Sequence, residues 1–103
     1  MLFRSSIIYA GSKAALSTMT KSLARAFAPT IRVNAVAPGF VDTGFADWSR
    51  EFIQQAERES HLGRLVSPED VASAVLYLVT DGNGLTGEEI LVDGGMVTLG
   101  NRR

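Results

Sequence analysis

A chain of 103 residues, 46% hydrophobic and 20% charged, suits one small globular domain and is too apolar to be disordered. Ten Lys and Arg against eleven Asp and Glu leave a net charge of −1, with no basic stripe for nucleic acid. The lack of cysteine excludes disulfides and thiolate metal sites, and one histidine, His61, cannot build a His-rich metal centre or a triad needing a second His.

Met1 to Ser6 has no apolar core of the secretory kind, and no apolar run approaches the roughly 20 residues of a membrane span. These features predict a soluble, cytoplasmic protein with no metal, membrane or nucleic-acid partner. The first strong element starts near Tyr9. From Ala10 to Ala28 there is no Pro, and Leu16, Met19, Leu23 and Phe27 recur at helical spacing with Ala10, Ala14, Ala15, Ala24 and Ala26 around them. Alanine favours helix and lets another backbone come close, so a long, mostly buried helix is expected, stopped by Pro29.

Ile31 to Ala37 reads as a short strand, ended by Pro38-Gly39. Val41 to Asp47 has the mixed polarity of a loop. Trp48, Phe52 and Ala56 trace one face of a second helix ending near Gly63. That face is thin, so the helix either moves or packs over a cleft. Ser67-Pro68-Glu69-Asp70 is a helix start: Ser caps, Pro suits the first turn, and acids favour the positive end of the dipole. Val71, Val75, Leu78 and Val79 supply its apolar face. Asp81 to Gly84 breaks the chain, and Glu89 to Val92 is a last strand before Asp93-Gly94-Gly95.

Helices between single short strands predict an α/β layer on a parallel sheet. Two strands are too few for such a sheet, whose strands want both faces covered and several neighbours. The sequence therefore reads as incomplete at its amino end.

Tyr9-Ala10-Gly11-Ser12-Lys13 carries the chemistry. Residues four apart on a helix share one side, with Cβ atoms about 5–6 Å apart. A phenol has a pKa near 10, and bringing it to about 7 takes about 4 kcal/mol. A positive charge about 4 Å away supplies that much at an effective dielectric near 20. Lys13 can thus poise Tyr9 as a general acid/base. The same spacing also arises in helices with no catalytic role, and Pro38-Gly39, by spacing alone, is a turn.

Context extends these motifs. Tyr9 to Leu16, Thr20-Lys-Ser-Leu-Ala-Arg25, Ile31-Arg-Val-Asn-Ala-Val-Ala-Pro-Gly39 and Thr43 together resemble the classical short-chain dehydrogenase/reductase family. Gly63-Arg64, Ser67 to Ala72 and Leu91-Val-Asp-Gly-Gly95 continue the pattern in order, so the resemblance runs from Tyr9 to about Leu99. It implies that Tyr9 exchanges the proton at the substrate oxygen, and that Lys13 holds the nicotinamide ribose while lowering the Tyr9 pKa. Pro38, Gly39 and Val41 would line the nicotinamide, and Thr43 would reach its carboxamide or a phosphate. The helix from Trp48 to Leu62 would be the substrate lid, against the plainer reading of a surface helix.

Gly82-Asn83-Gly84-Leu85-Thr86-Gly87 fits G-x-G-x-x-G literally. The dinucleotide fingerprint must follow a strand and open a helix, whereas this run precedes a strand, so a turn is expected. His61 reads as a helix-end residue. Only eight residues precede Tyr9, and Met1 to Ile8 carries none of the motifs. The family's glycine-rich phosphate loop, catalytic serine and relay asparagine are missing, and Ser5 and Ser6 are too near Tyr9 to serve as that serine.

The fold expected is α/β, the carboxyl-terminal part of a doubly wound parallel-sheet Rossmann-type domain. Residues 1–103 would be a partial NAD(P)-binding domain lacking its amino-terminal half. The implied function is oxidoreduction between an alcohol and a ketone by hydride transfer with NAD or NADP, in a homo-oligomer. The alternative is an inactive fragment acting only as an interaction module.

Overall fold

A computed structural model gives the structure of residues 2–41 and 48–100, apart from the side chains of residues 2–6 and 9. The order of elements is α1 (Leu2–Phe27), β1 (Ala35–Pro38), α2 (Arg50–Glu59), α3 (Pro68–Thr80), β2 (Glu89–Val92) and α4 (Met96–Leu99). The chain divides into two compact units, Met1–Ala35 with Gly84–Glu89, and Val36–Asn83 with Ile90–Arg103. No helix among the described residues is long and apolar enough to cross a membrane.

β1 and β2 form a two-stranded sheet. Ala35 N–H donates to Glu88 O and Gly39 N–H to Val92 O, both at 2.9 Å. Equal steps in the same direction on both strands make the pair parallel, as the α/β pattern predicts. A further parallel bridge joins Val41 to Val66.

In the first unit, α1 begins at Leu2, well before the expected start near Tyr9. Residues 2–8 contain no Gly or Pro to interrupt it. It ends where expected: Ala28 N–H still reaches Ala24 O, and Pro29 follows. The expectation that α1 is mostly buried is corrected. Leu16, Met19, Leu23 and Phe27 are between 40% and 55% exposed. Among its described side chains the buried ones are the small residues Thr20 and Ala24, and Ala24 faces the 84–89 turn. A Cβ on Gly87 would lie 3.6 Å from the Ala24 Cβ, and Ser17 Oγ donates to Glu89 Oε2 at 2.9 Å. That short turn covers one narrow stripe of α1 and leaves the apolar row uncovered.

The strand expected over residues 31–37 is also corrected, since β1 is Ala35–Pro38 and includes the proline. The polar groups at 33 and 34 are committed to the same turn. Val33 N–H donates to Thr86 Oγ1, Gly87 N–H to Val33 O, and Asn34 Nδ2 to Leu85 O. Pro38, without an N–H, fits at the end of the strand.

In the second unit, Ser49 caps α2 by accepting from Phe52 N–H at 3.1 Å, and the helix stops at Ser60 before reaching Gly63. Ala56 is buried on the expected face. α3 opens on the predicted cap, with Ser67 Oγ accepting from Asp70 N–H and Asp70 Oδ2 from Ser67 N–H, a reciprocal capping box. Leu78 is buried, whereas Val75 and Val79 of its expected apolar face are exposed. Among the described residues of this unit, Val66, Ala56 and Leu78 are buried apolar side chains, beside buried Ser60 and Asp93. The Gly82–Gly87 run opens no helix and leads into β2, as read from the sequence. α4, one turn long, has no counterpart in the sequence reading.

Candidate functional site

Tyr9 and Lys13 lie one turn apart in α1, the spacing on which the acid/base reading rests. Lys13 is exposed. The side chain of Tyr9 and the whole of Thr43 fall outside the described residues. The remaining expected site residues belong to the second unit. Pro38 ends β1, Gly39 leaves the sheet bonded to Val92, and half-buried Val41 bridges to Val66. The first unit thus holds the Tyr9/Lys13 pair, and the second gathers Pro38, Gly39 and Val41 at the carboxyl end of a parallel strand. Open α/β sheets place ligands at that end.

Gly39 is required where it stands. A Cβ there would be 2.9 Å from both Cα and Cβ of Asp93, closer than carbon atoms pack. The loop it starts is therefore pressed onto the end of β2. Phe40, next in sequence, packs edge-on against Trp48 at 6.0 Å and Phe52 at 5.4 Å between ring centroids. Trp48 and Phe52 meet at 5.2 Å. This cluster ties the start of α2 to the Gly39 loop. Sequence reasoning placed Trp48 and Phe52 on one helix face by their spacing, but nothing local joins Phe40 to them.

Asp93 was also missed as a site-supporting residue, although its Asp-Gly-Gly setting signals a constrained turn. Its carboxylate accepts from Gly95 N–H at 2.9 Å and Val97 N–H at 3.0 Å. His61 follows the cap of α2, as expected, and its Nε2 meets Gly100 O at 2.7 Å, which requires the proton on Nε2.

Arg64 Nη1 lies 2.6 Å from Asp70 Oδ2. The Arg64 guanidinium, helped by the Ser67 N–H, holds the Asp70 carboxyl well below the usual carboxylate range, and the same bond raises Arg64 above its ordinary value. A cavity of about 560 Å³ opens beside this pair, with Leu62, Leu91, Thr98 and Leu99 on its walls. Pro38, Gly39 and Val41 are not among its described lining residues. No three His, Asp or Glu side chains gather into a metal-binding group among the described residues.

The sequence model of the family described as enoyl-(acyl carrier protein) reductase matches residues 2–97, starting upstream of the first motif at Tyr9. Tropinone reductase-like 3 of Erythroxylum coca is 42% identical over 92 residues, covering 85% of this chain and 36% of that protein. A 3-oxoacyl-(acyl-carrier-protein) reductase of Aquifex aeolicus is 47% identical over 91 residues, covering 85% and 37%. Among solved structures, a 4-hydroxyisoleucine dehydrogenase mutant complexed with NADH and succinate matches with a TM-score of 0.79 at 29% identity, over 91% of this chain and 40% of that one. The chain therefore spans little more than a third of the length of these curated relatives.

Proposed function

The chain belongs to the short-chain dehydrogenase/reductase family, and from that premise we propose that it carries the proton-transfer pair and nicotinamide-side contacts of an NAD- or NADP-dependent oxidoreductase. The observation that carries this reading is the Tyr9/Lys13 pair, one turn apart in α1, inside a family match spanning residues 2–97. The reaction proposed is the interconversion of an alcohol and a ketone. The two curated relatives described above are named reductases and the solved one a dehydrogenase, so the family supports the interconversion in either direction.

The residues present fit a nicotinamide. Gly39 and Val41 leave the carboxyl end of a parallel strand, and Lys13 offers a cation for ribose hydroxyls. When bound, the nicotinamide supplies the hydride. Tyr9 gives its phenolic proton to the substrate oxygen in reduction and takes it back in oxidation. The positive charge of Lys13 favours the phenolate that remains. Pro38, Gly39 and Val41 would line the nicotinamide, and Thr43 would be the residue offered to its carboxamide or a phosphate. α2 serves as the lid over a small alcohol or ketone, anchored through Phe40, Trp48 and Phe52. The solved relative complexed with NADH supports this class of cofactor.

The exposed row Leu16, Met19, Leu23 and Phe27 supports self-association through α1. It equally supports the second reading, a chain that serves only as an interaction module. Spectrophotometric assay of the longest natural protein carrying this chain separates the two. Oxidation of NADH or NADPH that depends on a 3-oxoacyl thioester, a sugar ketone or another small ketone is the expected result. A well-folded oligomer inert toward every such pair would reject the enzyme reading.

A further inference from the structure

Asp93 is a carboxylate only 9% exposed that the proton-transfer chemistry does not use. Burying such a group is costly unless its oxygens are hydrogen-bonded, and here both are. Oδ1 accepts from Gly95 N–H and Oδ2 from Val97 N–H, while the Asp93 carbonyl accepts from Met96 N–H at 3.4 Å. These bonds close a turn in which Gly94 and Gly95 have φ of 68° and 87°, a region glycine enters without strain. The carboxylate and the shape of the turn therefore specify each other.

The turn touches two other segments of its unit. On one side is Gly39, whose N–H bonds to Val92 O and which has no room for a Cβ against Asp93. On the other is the end of α2. His61 N–H donates to Gly94 O at 3.1 Å, and a Cβ on Gly94 would come within 2.5 Å of Ser60 Oγ. Ser60 is the cap of α2 and is 3% exposed. Neither contact leaves slack, so a change in the turn moves both neighbours.

We infer that Asp93 is a positioning residue, whose carboxylate fixes the Asp93–Gly95 turn and through it sets the Gly39 loop and the end of α2 together. Under the function proposed above, these two segments are the nicotinamide contact and the substrate lid. The inference rests on that reading for its meaning in catalysis, whereas the coupling itself is independent of it.

Amide hydrogen exchange by NMR on the labelled chain tests the coupling without any assay of activity. Asp93→Asn keeps the side chain's size but has one acceptor oxygen in place of two. The Gly39 and His61 amides, neither of them bonded to the carboxylate, are expected to exchange about tenfold faster, along with those of Gly95 and Val97. Amides inside α3 should be unchanged. Gly39→Ala pushes on the turn from the opposite side and, coupling being reciprocal, should shift the Gly95, Val97 and His61 amide resonances. Should Asp93→Asn fail to fold, Gly39→Ala decides the matter alone. Changes confined to Gly95 and Val97 would overturn the inference, because Asp93 would then only cap α4. Uniform acceleration through α3 would overturn it too, because Asp93 would then be supporting the whole unit.

Discussion

Alanine at Gly11 and alanine at Gly39 should move stability in opposite directions. Gly11 lies inside α1 between Tyr9 and Lys13, and a Cβ there meets no described atom within 4 Å. Replacing a helical glycine by alanine in open space removes backbone freedom from the unfolded chain and gains about 0.5–1 kcal/mol. Gly39 is the reverse case. Its Cβ would sit 2.9 Å from two Asp93 carbons, and neither can yield without disturbing the buried carboxylate or β2. Overpacking of this kind costs about 1–3 kcal/mol. In a domain of about 100 residues, 1 kcal/mol moves the melting temperature by about 4–8 °C. Thermal melts followed by far-ultraviolet circular dichroism should therefore show Gly11→Ala above the parent and Gly39→Ala at least about 4 °C below it. A Gly39→Ala melting temperature at or above that of the parent would refute the packing argument at Gly39.

The Arg64–Asp70 pair predicts a pH dependence. The folded-state pKa of Asp70 is depressed, so its contribution is full above the ordinary carboxyl value near 4 and is lost as pH falls toward the folded value. Asp70→Asn should flatten the acid limb of a plot of melting temperature against pH, and an unaltered limb would refute the pairing. Among the described residues, the Gly82–Gly87 run leads into a strand and Gly94-Gly95 opens only the one-turn α4, so no glycine-rich loop there opens a helix long enough to seat a pyrophosphate. Calorimetric titration with NADH or NADPH should accordingly show weak binding or none, and micromolar affinity for the monomer would contradict this. The exposed row on α1 should make the chain self-associate at tens of micromolar, giving a discrete dimer or tetramer by light scattering. A monomer would rule that out.

Local chemistry made some of this legible in the sequence. The start of α3 could be read because a capping box is completed within four residues, Ser67 to Asp70. The turn at Gly82–Gly87 was equally legible, because it leads into a strand and not a helix. The Tyr9/Lys13 spacing needs only a helix to become one turn. The limits of β1 were not legible, because Val33 and Asn34 give their polar groups to residues 85–88, more than fifty positions away. The burial of α1 was misjudged for a related reason. Helical periodicity identified the apolar row, but burial depends on what packs against it, and the 84–89 turn packs on Ala24 and not on that row. α4 and the Gly39–Asp93 contact depend on a carboxylate folding back on its own turn and on two strand ends meeting. Neither leaves a periodic signal.

The central claim is that Tyr9 performs the proton transfer. In a complete enzyme carrying this chain, Tyr9→Phe keeps the aromatic ring and removes only the ionisable oxygen. General acid/base groups typically contribute about 10²–10⁴ in rate, so kcat should fall by that factor. Cofactor affinity, measured by fluorescence titration of NADH or NADPH, should stay at the parent value. A Tyr9→Phe enzyme that kept more than about a tenth of its kcat, far above what loss of the acid/base group leaves, would show that another group carries the proton.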